Sequence, residues 1–228
     1  MKKVVLAIFV LVMTCLWNQS AAGQAAASTA DQTTAASLDD QMFQAIEKGD
    51  FATVLNLLEQ GAHINAQSKE GMTALIAATA MGKADVVKVL LDKGASTDLK
   101  DGRGDTALNY AVMTSNIDEV KLLLAKGASV NIQEQTGLSP LMLGVVSGSP
   151  ELVKLLLDHG AKTDLRDAHG FTALMAACGG GLIDIVKLLL ERGADINAKS
   201  DEGTTALILA DGNGKTEVAA LLRARGAH

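Results

Sequence analysis

The sequence predicts an all-α fold, a solenoid of about six 33-residue helix-turn-helix units with β-turn tips over residues 38–228. Three series of residues that share one period carry that prediction. A Gly-Ala pair begins at Gly61, Gly94, Gly127, Gly160, Gly193 and Gly226. A second glycine series runs through Gly71, Gly104, Gly137, Gly170 and Gly203, and a leucine series through Leu75, Leu108, Leu141, Leu174 and Leu207, every step being 33 residues. Self-similarity at such a period marks a stack of units, none of which can bury its apolar face alone. The register places the units near 38–66, 67–99, 100–132, 133–165, 166–198 and 199–228.

Each column of the repeat has a physical role. Thr73, Thr106, Ser139, Thr172 and Thr205 stand where a hydroxyl can accept from the unpaired N–H groups opening a first helix. Pro140 follows Ser139 and Pro150 follows Ser149, at first helical positions where proline sacrifices no hydrogen bond. The runs "VVKVLL", "VKLLL", "LVKLLL" and "IVKLLL" form the apolar stripe of the second helices, and the glycine of each Gly-Ala pair caps their ends. Asp85, Asp118, Glu151, Asp184 and Glu217 suit the positive end of the helix dipole. Lys88, Lys121, Lys154 and Lys187 lie three residues on, where they are expected to pair with the first four of these acids. Gly82, Gly148, Gly181 and Gly214 share the bend between the two helices of a unit, with Ser115 as the exception.

The segments "GMTAL", "GDTAL", "GLSPL", "GFTAL" and "GTTAL" resemble the Gly-x-Thr-Pro-Leu pattern of ankyrin repeats. The resemblance covers about five-sixths of the chain and implies a turn and two antiparallel helices in every unit. Two departures stand out. Alanine replaces proline in four of the five segments, and the histidine that follows the leucine in the family is Ile76, Asn109, Met142, Met175 or Ile208 here. The hydrogen bonding of that histidine is therefore expected to be missing.

Residues 1–22 have the three-part layout of a secretory signal peptide: Lys2 and Lys3, an apolar run from Val4 to Trp17, then small residues ending at Ala22. The 14-residue run is short of the roughly 20 residues a membrane-spanning helix needs. The expectation is a cleaved leader and an exported protein, periplasmic first and secreted second, with 23–37 an Ala/Ser/Thr/Gln-rich flexible linker. Cleavage removes two of the 20 basic residues and none of the 26 acids, leaving 18 against 26 and a net charge of -8. An acidic chain with no basic stripe is a poor nucleic-acid ligand. The low aromatic content, 3%, favours small-residue helix packing over an aromatic-layered sandwich or barrel.

Catalytic and cofactor signatures are missing from the sequence. "DGNGKT" at 211–216 ends like a phosphate-binding loop, but Leu209 stands where that motif needs its first glycine, so no nucleotide is expected and Gly214 is an inter-helix turn. His63, His159, His169 and His228 form no metal or acid-base spacing. Cys178 shares its column with Thr79, Val112, Val145 and Asp211 and is read as a small buried hydrophobe, not a redox thiol. No cofactor, metal or catalytic residue is expected, and a monomer is.

Partner binding remains. Following the resemblance, the partner is another protein, an exported enzyme for preference, held on a concave face of turn tips and first-helix ends. At the tips these are Lys69, Glu70, Met72, Arg103, Asp105, Gln135, Leu138, His169, Phe171, Glu202 and Thr204; at the helix ends, Met81, Met113, Thr114, Val146 and Ser147. Met72, Met81, Arg103, Asp105, Met113, Leu138, Val146, His169 and Phe171 form the candidate site, because large apolar side chains at solvent-facing positions mark interaction surfaces. Val146, and with it Met113, is the member expected to pack into the groove, and Phe171 and Leu138 are the expected anchors. A secreted effector aimed at a host protein, and an enzyme, are the alternatives.

Overall fold

The structure, a computed structural model, describes residues 37–228. The expected leader and nearly all of the expected linker lie outside the described residues. Twelve helices follow in six antiparallel pairs: α1 (Leu38–Lys48) with α2 (Phe51–Glu59), α3 (Ala74–Ala80) with α4 (Ala84–Asp92), α5 (Ala107–Met113) with α6 (Ile117–Ala125), α7 (Pro140–Ser147) with α8 (Pro150–Asp158), α9 (Ala173–Gly180) with α10 (Ile183–Glu191), and α11 (Ala206–Gly212) with α12 (Thr216–Ala224). No strand occurs among the described residues; the tip of the second unit holds one antiparallel bridge, Gln67 to Thr73. No described helix is long and apolar enough to cross a membrane.

Sequence and local structure agree column by column. The hydroxyls of Thr73, Thr106, Ser139, Thr172 and Thr205 accept the N–H groups of Ile76, Asn109, Met142, Met175 and Ile208, which starts each first helix. Each second helix ends with a bond from the alanine of the Gly-Ala pair back into its last turn, as from Ala95 to the Leu90 carbonyl at 2.9 Å. The bend between helices takes left-handed backbone: φ is 65° at Gly82 and at Gly214, and 56° at Ser115, the one non-glycine residue so placed among those described. "GNGK" is thus a turn, with Lys215 donating its N–H to Ala210.

The core lies between layers of first and second helices, each first helix packing on the next. The repeating leucine is 0 to 1% exposed at Leu75, Leu108, Leu141 and Leu174. Cys178 is fully buried, and burial pushes its thiol up to about 12.

Three expectations need correction. Ser37, expected at the end of the linker, is the N-cap of α1 and shares a capping box with Asp40. The lysines of the second helices do not pair mainly with acids three residues before them: Lys88 binds Asp92 at 2.7 Å and Lys154 binds Asp158 at 2.6 Å, and only Lys121 approaches its expected partner, Asp118 at 4.0 Å. The i+4 acid wins because it also meets a cation from the next unit, Lys126 on Asp92 and Arg192 on Asp158. Third, the polar role of the missing histidine is not lost everywhere. Asn109, fully buried, donates to the Asp105 carboxylate at 3.1 Å and accepts from the Thr106 hydroxyl at 3.0 Å.

Candidate protein-binding face

The tips are rigid because an acidic side chain folds over those of the third, fourth and fifth units. The Asp101 carboxylate accepts the N–H groups of Arg103 and Asp105, Glu134 those of Thr136 and Leu138, and Asp167 those of His169 and Phe171, all at 2.9 Å. Backbone bonds then tie each tip to the next: Gly102 N–H to Glu70, Gln135 to Arg103, Ala168 to Thr136 and Asp201 to His169, at 2.7 to 3.1 Å. Glycine at 71 and 137 allows this approach, since a Cβ there would come within 2.9 Å of the next tip's backbone. The result is a continuous edge that presents one residue per unit in register.

On that edge Arg103 and His169 are exposed, while Met72, Leu138 and Phe171 are half-buried. Asp105 departs from expectation. It is only 3% exposed, its carboxylate taken by Asn109 at 3.1 Å and by the Arg103 guanidinium at 3.3 Å. Burial raises its pKa above the usual carboxylate value. Asp105 therefore supports the edge from beneath and orients Arg103, and it meets the surface only in the lining of a hollow.

The helix ends reverse another expectation. Val146 does not pack into the groove: it is 63% exposed, the most exposed large apolar side chain among those described, with Met81 at 37%. Met113 is half-buried and does line the surface. It forms, with Leu138, Leu143, Arg103, Asp105, Glu134, Gln135 and Thr136, a hollow of ≈ 320 Å³.

Four of the nine expected residues, Arg103, Asp105, Met113 and Leu138, thus come together at the junction of the third and fourth units. The hollow does not take in Met72, Met81, Val146, His169 or Phe171. Leu143 was missed. Its signal was helical spacing, three residues before Val146 on α7, in a column that also holds Tyr110. Apolar walls, one guanidinium with N–H donors to spare beyond its bond to Asp105, and an exposed valine alongside make a surface that can desolvate an apolar side chain and orient a polar neighbour. Among the described residues no group of three or more His, Cys, Asp or Glu side chains is placed to hold a metal ion.

Stacked helix pairs joined by a hydrogen-bonded edge of turns define a repeat scaffold, a class whose function lies in its surface. The family model for ankyrin repeats (3 copies) matches residues 42–134, 120–200 and 141–228, and the chain belongs to that family. Ankyrin repeats are protein-protein interaction modules. A comparison with curated proteins found no match.

Proposed function

We propose that this protein is exported and binds another exported protein, an enzyme for preference, on its tip-and-helix-end face, so regulating, inhibiting or protecting it. The observation that carries the binding reading is the exposure of Val146, 63%, and Met81, 37%, on the face that also holds the Met113–Leu138–Leu143 hollow. Folding leaves these apolar side chains in water, whereas a partner would remove them from it. Export is supported by Lys2, Lys3 and the apolar run Val4 to Trp17.

Val146 buried in a complex contributes about 1.5–2 kcal/mol, roughly ten- to thirtyfold in affinity. The test is affinity capture from the exported fraction with wild type, Val146→Asp and Lys187→Ala, the last an exposed change on α10. With unchanged melting behaviour, Val146→Asp loses the captured partner and Lys187→Ala keeps it. Equal capture by both variants removes this face from consideration.

A further inference from the structure

From the second unit onward the third position of the second helix is a core column, the first unit having the exposed Thr53 there. Val86, Leu152, Ile185 and Val218 fill it, each 0 to 1% exposed. In α6 the same position is Glu119, itself only 3% exposed, and neither of its carboxyl oxygens has a hydrogen-bond partner. Capping does not account for it, because Asn116 caps this helix by accepting the backbone N–H of Glu119 at 3.3 Å and leaves the carboxyl free.

No neighbouring cation compensates it. On α5, which packs against α6, the titratable group is Tyr110, and its hydroxyl binds Asp101. On α4 they are Asp85, Lys88 and Asp92, and Lys88 is held by Asp92. α7 has none; α8 carries Glu151, Lys154 and Asp158, and Lys154 is held by Asp158. On α6 itself Lys121 lies beside Asp118, and just beyond its end Lys126 reaches Asp92.

We infer that Glu119 makes the third helix pair proton-sensitive: the fold holds this side chain as the neutral acid, and its ionisation at rising pH loosens α5 and α6. An ionised carboxylate without a partner cannot stay in an aliphatic column, so the pair must open toward water to accommodate it. Burial raises the Glu119 pKa above its usual 4.5. The stabilising contribution of the group is therefore complete below that usual value and is lost as pH rises through the raised one. Met113 ends α5 and walls the hollow, so loosening this pair also unmakes the hollow. That consequence rests on the binding reading, whereas the proton sensitivity does not.

The test is native-state hydrogen exchange on the full chain, comparing wild type, Glu119→Gln and Glu119→Leu from about pH 4 to about pH 8 and using α9 and α10 as internal reference. In wild type the opening constant of α5 and α6 rises relative to that reference, approaching tenfold per pH unit between the two pKa values. In both variants the ratio stays flat, and the leucine variant is the best protected. A wild-type ratio that tracks Glu119→Gln at every pH overturns the inference. So does a Glu119 carboxyl NMR titration with its midpoint at or below 4.5, a measurement that needs no variant. Loss of capture by Val146→Asp addresses the binding face alone, so the two readings can fail separately.

Discussion

The hydroxyl of Tyr110 donates a 2.8 Å hydrogen bond to Asp101, tying the middle of a first helix to the turn that precedes it. The other oxygen of that carboxylate accepts the N–H groups of Arg103 and Asp105. Tyr110 is 2% exposed, and burial drives its phenol above the usual 10.0. Because it is the only tyrosine in the chain, tyrosinate absorbance reports this one group. The native protein should show no titration near pH 10, with tyrosinate appearing only on unfolding. Tyr110→Phe should lower stability by about 1 kcal/mol, the net value of one hydrogen bond, seen as a lower urea midpoint.

Ser115 occupies a left-handed bend, φ 56°, where the equivalent residues of the other units are Gly49, Gly82, Gly148, Gly181 and Gly214. A side chain there crowds its own carbonyl, and glycine does not. Ser115→Gly should therefore stabilise the chain by about 1 kcal/mol, raising the urea midpoint with no change in slope. A fall in the midpoint would show that the serine side chain contributes more than its backbone strain costs.

Between units, a polar side chain accepts an N–H from the following unit: Asn65 from Ser96, Asp98 from Ser129 and Asn131 from Lys162, each at 2.9 Å, and Asn197 from His228 at 3.2 Å. The matching pair Asp164 and Asp195 has no such bond; Asp195 turns to its own Asn197 N–H, and Asp164 lines an open hollow with Lys162 and Arg192. Two carboxylates in register repel. Asp195→Ser recreates the Asp98–Ser129 pair and should raise stability by about 0.5–1 kcal/mol, read from thermal unfolding. No gain would mean that repulsion is not what breaks the rung.

Cys178 is fully buried, with its thiol pushed up to about 12, so almost no thiolate exists at neutral pH. Cys178 of the native protein should react with a thiol reagent only at the rate of unfolding, followed at that site because Cys15 is a second thiol of the sequence. Cys178→Ala should cost on the order of 1 kcal/mol for the lost volume. Fast labelling at Cys178 without unfolding would contradict the burial.

The periodic features were legible in the sequence because their causes are local. A hydroxyl before a helix, a glycine after it and a 33-residue recurrence of leucine follow from backbone geometry that neighbours in the chain set. The face was legible only in outline. Arg103, Met113 and Leu138 do meet in one hollow, but they meet because backbone bonds hold successive tips at one spacing, and those bonds join residues some 32 positions apart.

What the sequence by itself determined about this protein was the number of helix pairs, their caps and their stacking column, because a repeat read against its own copies supplies an internal alignment. Only the tertiary structure decided which members of a column see water. Asp105 is buried, with Asn109 and Arg103 satisfying its carboxylate, whereas Val146 is 63% exposed. Lys88 chooses Asp92 because Lys126 from the following unit joins it there. Each outcome depends on what other side chains, of the same unit or of the next, present to that position, and a side chain's own column does not record that.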